Sequence, residues 1–232
     1  SSHRIPTSEE ADMNPQVVCI IPSRFESTRF PGKPLADLCG KPMVQHVYER
    51  VLQTGTVALA AVATDDERIS AAVKAFGGHV VMTSPQHRSG TDRIAEAVEA
   101  MGLRDDDIVV NVQGDQPLFE PTQVDEVVGP LMQDRSIPMS TLAYRIVREE
   151  EITHPNAVKV VFDRDGFALY FTRATIPYVR DPGIRAEYFK HHWIYAYRRD
   201  FLRTFTALPE GVLERLESLE QLRALEYGCR IK

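Results

Sequence analysis

Cysteine is scarce and poorly placed for chemistry: the chain has three, Cys19, Cys39 and Cys229. An odd, widely spaced set builds neither a disulfide framework nor a zinc site, and reduced thiols fit a cytoplasmic setting. No apolar run approaches the length of a membrane span, and the start carries no signal-peptide core, so membrane insertion is not expected. Gly/Ser-rich linkers, repeats and low-complexity stretches are also lacking, which favours one folding unit over a string of modules. Positive charge is in deficit, with 27 Lys and Arg against 33 Asp and Glu and a net charge of -6. That excludes the broad positive field of a nucleic-acid binder. Any basic site must be local, which suits a small anionic ligand better than a polymer.

Two common phosphate-binding signatures are missing as well. There is no Gly-x-Gly-x-x-Gly after the first strand and no Gly-x-x-x-x-Gly-Lys-Ser/Thr. A phosphate site would have to use cationic side chains and loop amides instead. The chain offers such a loop. Val17-Val18-Cys19-Ile20-Ile21 reads as a buried strand by its β-branched content. Arg24, Arg29 and Lys33 follow among small and turn-forming residues, with Pro31-Gly32 marking a bend. A basic loop directly after a buried first strand sits where open α/β sheets bind ligands, and a triphosphate is its natural anion. Charges scattered on a solvated loop are the competing reading.

Beyond this loop the first half alternates strand and helix. Helices are predicted from Pro42 to Leu52, Glu67 to Phe76, Arg93 to Met101 and Glu120 to Met132. The intervening strands are Ala58 to Ala63, His79 to Met82 and Asp107 to Val112. Such alternation implies a mainly parallel sheet with right-handed crossovers. The second half is less regular. A strand is predicted over Pro138 to Tyr144, and Val158 to Phe162 and Phe167 to Phe171 flank the turn Asp163-Arg164-Asp165-Gly166, a hairpin signal. His192 to Tyr197 is a further strand, and Leu213 to Leu225 reads as one helix ended by Gly228. Residues 1–14 are polar and read as a flexible or extraneous tail; 15–232 read as one domain.

Three more segments carry chemistry. Asp115 follows a buried strand at a Gly turn and would face the same crevice as the basic loop. An acid beside a triphosphate serves to hold Mg²⁺, although it could equally cap its own turn. Ser89-Gly90-Thr91-Asp92 has capping-box spacing, and a cap and a ligand site are compatible at a helix start. Of His191 and His192, adjacent on a strand, at most one can serve a site. By spacing alone Glu220 reads as an exposed charge partner on its helix.

Taken together, several ordered segments resemble a known family. They are Ile21-Pro22-Ser23-Arg24, Ser27-Thr28-Arg29-Phe30-Pro31-Gly32-Lys33-Pro34-Leu35, Val62-Ala63-Thr64-Asp65, Ser89-Gly90-Thr91-Asp92-Arg93 and Val110-Asn111-Val112-Gln113-Gly114-Asp115. Asn156-Ala157-Val158-Lys159-Val160-Val161, Tyr170-Phe171-Thr172-Arg173-Ala174-Thr175-Ile176-Pro177 and Leu219-Glu220-Gln221-Leu222-Arg223 continue the series. From about Val17 to Lys232 the chain resembles the 3-deoxy-manno-octulosonate (Kdo) cytidylyltransferases, or CMP-Kdo synthetases.

The resemblance implies an α/β, Rossmann-like nucleotidyltransferase fold of the nucleotide-diphospho-sugar transferase type, with a hairpin-containing dimerisation elaboration. It further implies a Mg²⁺-dependent cytoplasmic homodimer that transfers CMP from CTP to the anomeric hydroxyl of Kdo for lipopolysaccharide synthesis. Under it, Pro22, Ser23, Arg24, Arg29, Lys33, Ser89, Gly90 and Arg93 line the nucleotide, with Arg24, Lys33 and Asp115 catalytic and Asp115 holding the metal. Gln113, His191, Tyr195, Glu220 and Gln221 contact the sugar acid, with Arg173 a candidate cation for its carboxylate. The chain departs from the family at Gln116, where a Glu is usual. The resemblance also implies a continuation beyond Lys232 that carries a second metal-binding Asp. A cytidylyltransferase for 8-amino-Kdo or a nonulosonic acid, and a non-catalytic nucleotide-binding protein, are the alternatives.

Overall fold

The computed structural model describes residues 14–26, 31–87, 89–181 and 183–232. Arg29 and all but the last residue of the 1–14 tail lie outside the described residues. Among those described, eight strands form one sheet in the order β5-β4-β1-β6-β10-β8-β9, with β7 also on β10. β1 (Val17–Pro22), β4 (Leu59–Thr64), β5 (Val80–Met82) and β6 (Ile108–Asn111) run parallel from the β5 edge inward, as the strand–helix alternation implies. The long β10 (Phe189–Arg198) is antiparallel to β6, with Tyr195 opposite Asn111. It carries β7 (Met139–Arg145) and β8 (Lys159–Phe162) with it, and β9 (Ala168–Thr172) closes the edge as the predicted hairpin partner of β8. In that hairpin Gly166 takes φ 78°, a conformation L side chains rarely adopt. A small ribbon, β2 (Asp37–Leu38) with β3 (Lys41–Pro42), stands apart.

β1 shows why its run is apolar without alternation. Val17, Cys19 and Ile21 enter one core cluster and Val18 and Ile20 the other, so both faces of the strand are covered. On the first face pack α1 (Met43–Val51), α2 (Glu67–Ala75) and α4 (Pro121–Gln133), through Val47, Val73 and Val128 among others. On the second pack α3 (Gly90–Ala100) and α6 (Arg199–Ala207), through Ile94, Ala97, Leu202 and Phe205. Asp66 caps α2 through the amides of Arg68 and Ile69, and Ser89 and Asp92 close the capping box of α3.

Two helices escape the sequence reading: the one-turn α5 (Glu150–Thr153) and α6. α6 follows β10 without a turn and is rich in Phe and Thr, so its start carries no breaker signal. The predicted helix from Leu213 to Leu225 is corrected. It is two helices, α7 (Val212–Glu217) and α8 (Gln221–Glu226), because Ser218 turns left-handed at φ 51°, ψ 51°.

Candidate active site

Four chain segments meet at the carboxyl ends of β1 and β6. Beyond β1 the chain stays beside β4, since the Ser23 amide donates to Ala63 O at 2.9 Å. The basic loop is pinched at its neck, where the Gly32 amide donates to Phe25 O at 2.7 Å. Gly32 has φ 72°, and Lys33 then opens a single 3-10 turn. That turn aims Lys33 across the crevice, and its Nζ lies 2.8 Å from Asp115 Oδ2.

Asp115 is placed by the glycine before it. A Cβ on Gly114 would stand 2.3 Å from Ser23 Oγ and 3.1 Å from Pro22 O. No side chain fits there, so the ends of β1 and β6 touch only because residue 114 is Gly. Gly114→Ala should force the two segments apart, lowering the melting temperature by several degrees and displacing Asp115; differential scanning calorimetry reads the first effect. An unchanged melting temperature would mean that the contact relaxes without cost.

The start of α3 packs on the same place. A Cβ on Gly90 would lie 3.4 Å from Pro22 and 4.0 Å from Gln113 Nε2, which itself donates to Asn111 Oδ1 at 3.2 Å. One helical turn on, Arg93 is fully buried; it pairs with Asp65 at 3.3 Å and donates to Thr83 Oγ1. Burial holds the Arg93 pKa below the usual guanidinium range, Asp65 opposing and Arg24 adding to the shift. Arg24, Phe25, Asp65, Arg68, His87 and Arg93 line a cleft of about 740 Å³. Of the expected nucleotide residues, Arg24 and Arg93 line this cleft, Pro22 packs on Gly90 and Ser23 on Gly114, Lys33 pairs with Asp115, and Ser89 lines a second cleft with Asp92 and Glu220. Asp65, Arg68 and His87 join Arg24 and Arg93 without having been singled out as site residues. Asp65 carried a usable signal, because it follows β4 as Asp115 follows β6.

Apart from Gln113, the residues expected to contact the sugar acid lie on β10 and at the α7–α8 break, where His191 lines a cleft with His154 and Lys190, and Glu220 another with Ser89 and Arg223. Tyr195 is opposite Asn111, and its ring centroid lies 5.3 Å from that of His191. His191 Nε2 is 2.9 Å from Thr141 Oγ1, and burial drives its pKa down to about 3, so the ring is neutral at physiological pH. His192 packs on Tyr144 and Trp193, yet it lines the same cleft as His191. Tyr197, read in sequence only as the end of a strand, stacks 5.9 Å from Tyr195 and is hydrogen-bonded to Thr91 and Asn111.

Glu220 requires a correction to what its spacing suggested. It does pair on its helix, with Arg223 Nη2 3.8 Å from its Oε1, but it is not fully exposed: its Oε2 accepts from Thr91 Oγ1 at 2.5 Å and its Oε1 is buried with no hydrogen-bond partner among the described residues. Gln221 is buried, with Nε2 likewise unpartnered. Burial raises the Glu220 pKa above the ordinary 4.5, Thr91 and Ser89 working against the shift. Folding therefore favours the protonated form. Relative to a Glu220→Gln variant, the wild type should lose stability as pH rises from 4.5 through the raised value. Melting temperatures of the two proteins across that range check the sign, and parallel curves would contradict it.

Arg173 is committed to the backbone: Nε donates to Glu217 O at 2.6 Å, Nη1 to Pro155 O at 3.1 Å and Nη2 to Ser218 O at 3.3 Å. No cluster of three or more His, Cys, Asp or Glu side chains suited to a metal occurs among the described residues. Asp115 is half-exposed and has Lys33 on one oxygen. That donor set fits Mg²⁺, which takes one or two carboxylates and fills its sphere with waters and substrate phosphates.

With this geometry in hand, comparisons with other proteins become informative. A cytidylyltransferase family profile matches residues 18–231. The chain is 72% identical to a 3-deoxy-manno-octulosonate cytidylyltransferase of Syntrophus aciditrophicus, over 94% of this chain and 88% of the relative. It is 54% identical to an 8-amino-3,8-dideoxy-manno-octulosonate cytidylyltransferase of Shewanella oneidensis, over 93% and 88%. Among solved structures it is similar to a CMP:2-keto-3-deoxy-manno-octonic acid synthetase complexed with CTP, with TM-score 0.88 and 46% identity over 94% of this chain and 88% of that one.

Proposed function

The chain belongs to the 3-deoxy-manno-octulosonate cytidylyltransferase family, and from that premise we propose that it transfers CMP from CTP to Kdo, releasing diphosphate. The observation that carries the proposal is the Lys33–Asp115 pair at 2.8 Å, set at the ends of β1 and β6, with Glu220 bonded to Thr91 of α3. A cation beside a metal-type carboxylate, with buried polar groups on the far side of the α3 start, is what nucleotidyl transfer needs.

In this reading Arg24 and Lys33 hold the triphosphate beside Pro22 and Ser23, while Ser89, Gly90 and Arg93 line the nucleotide. Arg29 belongs to the same loop and is proposed on sequence grounds alone. Gln113, His191, Tyr195, Glu220 and Gln221 orient the sugar acid. Neutral His191 and the unpartnered atoms of Glu220 and Gln221 offer hydrogen bonds to its hydroxyls. The anomeric oxygen then attacks the α-phosphorus in line, and diphosphate leaves with the electrons of the broken P–O bond. Cytidylyltransferases are generally metal-dependent. Asp115 would hold Mg²⁺, which when bound would neutralise charge developing on the phosphates.

We further propose one domain over 15–232, a homodimer and a cytoplasmic setting in which the product feeds lipopolysaccharide synthesis. No described helix is long and apolar enough to cross a membrane. The identity of the sugar is tested by comparing kcat/KM for Kdo and 8-amino-Kdo with CTP and Mg²⁺, the product being identified by mass. Preference for Kdo is expected. Preference for the amino sugar would move the chain to the other branch of the family.

A further inference from the structure

The break between α7 and α8 decides where Glu220 and Gln221 sit, the first lining a cleft with Ser89 and the second buried behind it, and something must hold it. Ser218 carries the left-handed turn, a conformation that disfavours residues other than Gly. Beside it, Glu217 reaches back to the end of β9. Its Oε1 accepts from Thr172 Oγ1 at 2.6 Å and its Oε2 from the Arg173 amide at 2.9 Å. Arg173 returns the grip, donating to the carbonyls of Glu217 and Ser218 on either side of the turn. Buried Lys159, opposite Thr172 on β8, also feels the Glu217 charge while its Nζ donates to His154 O at 2.9 Å. One carboxylate thus locks a strand end to a turn through two hydrogen bonds, with the Lys159 charge near it.

We propose that Glu217 is a positioning residue. By fixing the Ser218 turn to β9 it holds Glu220 against Thr91 and keeps Gln221 buried behind it, and so sets the affinity for the sugar acid and not that for CTP. The inference rests on the reading that Glu220 and Gln221 contact the sugar acid.

The test is steady-state kinetics on Glu217→Ala, Glu217→Gln and Thr172→Val, with KM for Kdo and for CTP measured separately. Glu217→Ala should raise KM for Kdo by roughly tenfold to 10²-fold, the scale of a misplaced contact group, and leave KM for CTP near the wild-type value. Glutamine can accept from the Arg173 amide and donate to Thr172 Oγ1, so Glu217→Gln should stay close to wild type. Thr172→Val, which removes one of the two bonds without touching the charge and also frees the Ala174 amide that donates to Thr172 Oγ1 at 3.0 Å, should fall between them; it decides the matter if Glu217→Ala does not fold. An unchanged KM for Kdo in a folded Ala or Val variant, an equal rise in both KM values, or a Gln variant as impaired as Ala would overturn the inference. Wild-type protein inactive with Kdo would instead remove the functional reading on which it rests.

Discussion

Asp115→Asn is expected to lower kcat by roughly 10³-fold, the scale of removing one preorganised charge from a transition state. Asparagine keeps the size and one oxygen of the side chain but loses the negative charge, and a hard divalent cation binds a neutral amide far more weakly than a carboxylate. Lys33 loses its 2.8 Å partner in the same step and becomes free to follow the phosphates. CTP should therefore still bind, with affinity reduced far less than turnover. Isothermal titration with CTP beside initial rates of diphosphate release separates the two quantities. Wild-type-like rates in saturating Mg²⁺ would remove Asp115 from the metal role.

Lys33→Ala is expected to lower kcat/KM for CTP by roughly 10²- to 10³-fold, about 3–4 kcal/mol of transition-state binding. The same change should leave the melting temperature nearly unchanged. Lys33 and Asp115 retain 36% and 42% of their side-chain exposure, and an ion pair so open to solvent adds little to stability. Activity and stability thus part company at this residue, which is the mark of a group kept for its ligand. A loss of stability matching the loss of activity would show Lys33 to be a brace for the loop instead. Arginine should restore the charge only in part, because the 3-10 turn aims a point ammonium and not a planar fork.

Much of this site was legible in the sequence, and the reasons are local. The buried run of β1, the absent glycine fingerprints and the cations after Ile21 place a ligand loop before any fold is known. The Ser89–Asp92 box forms as its spacing predicts, and its geometry leaves Thr91 free to meet Glu220. Gly114 reads as a turn glycine in sequence; only the structure gives its reason, the close approach of Ser23 and Pro22.

Spacing gives Glu220 its helix partner, Arg223, but not its contact with Thr91. Helical periodicity across Leu213 to Leu225 is real, but the side chain that interrupts it, Glu217, is satisfied by Thr172 and Arg173 some 45 and 44 residues earlier. No window of local sequence contains that interaction. The contacts of Tyr197 escaped for a related reason, since its hydroxyl partners Thr91 and Asn111 come from elements joined to β10 only by the sheet.

Diphosphate release from CTP, followed in the presence and absence of Kdo with Mg²⁺ supplied, tests the central claim most directly. The account predicts release that requires both substrates and equals the CMP-Kdo formed, mole for mole. Release from CTP alone at the same rate, or CTP binding with no release for any 2-keto sugar acid, would contradict it.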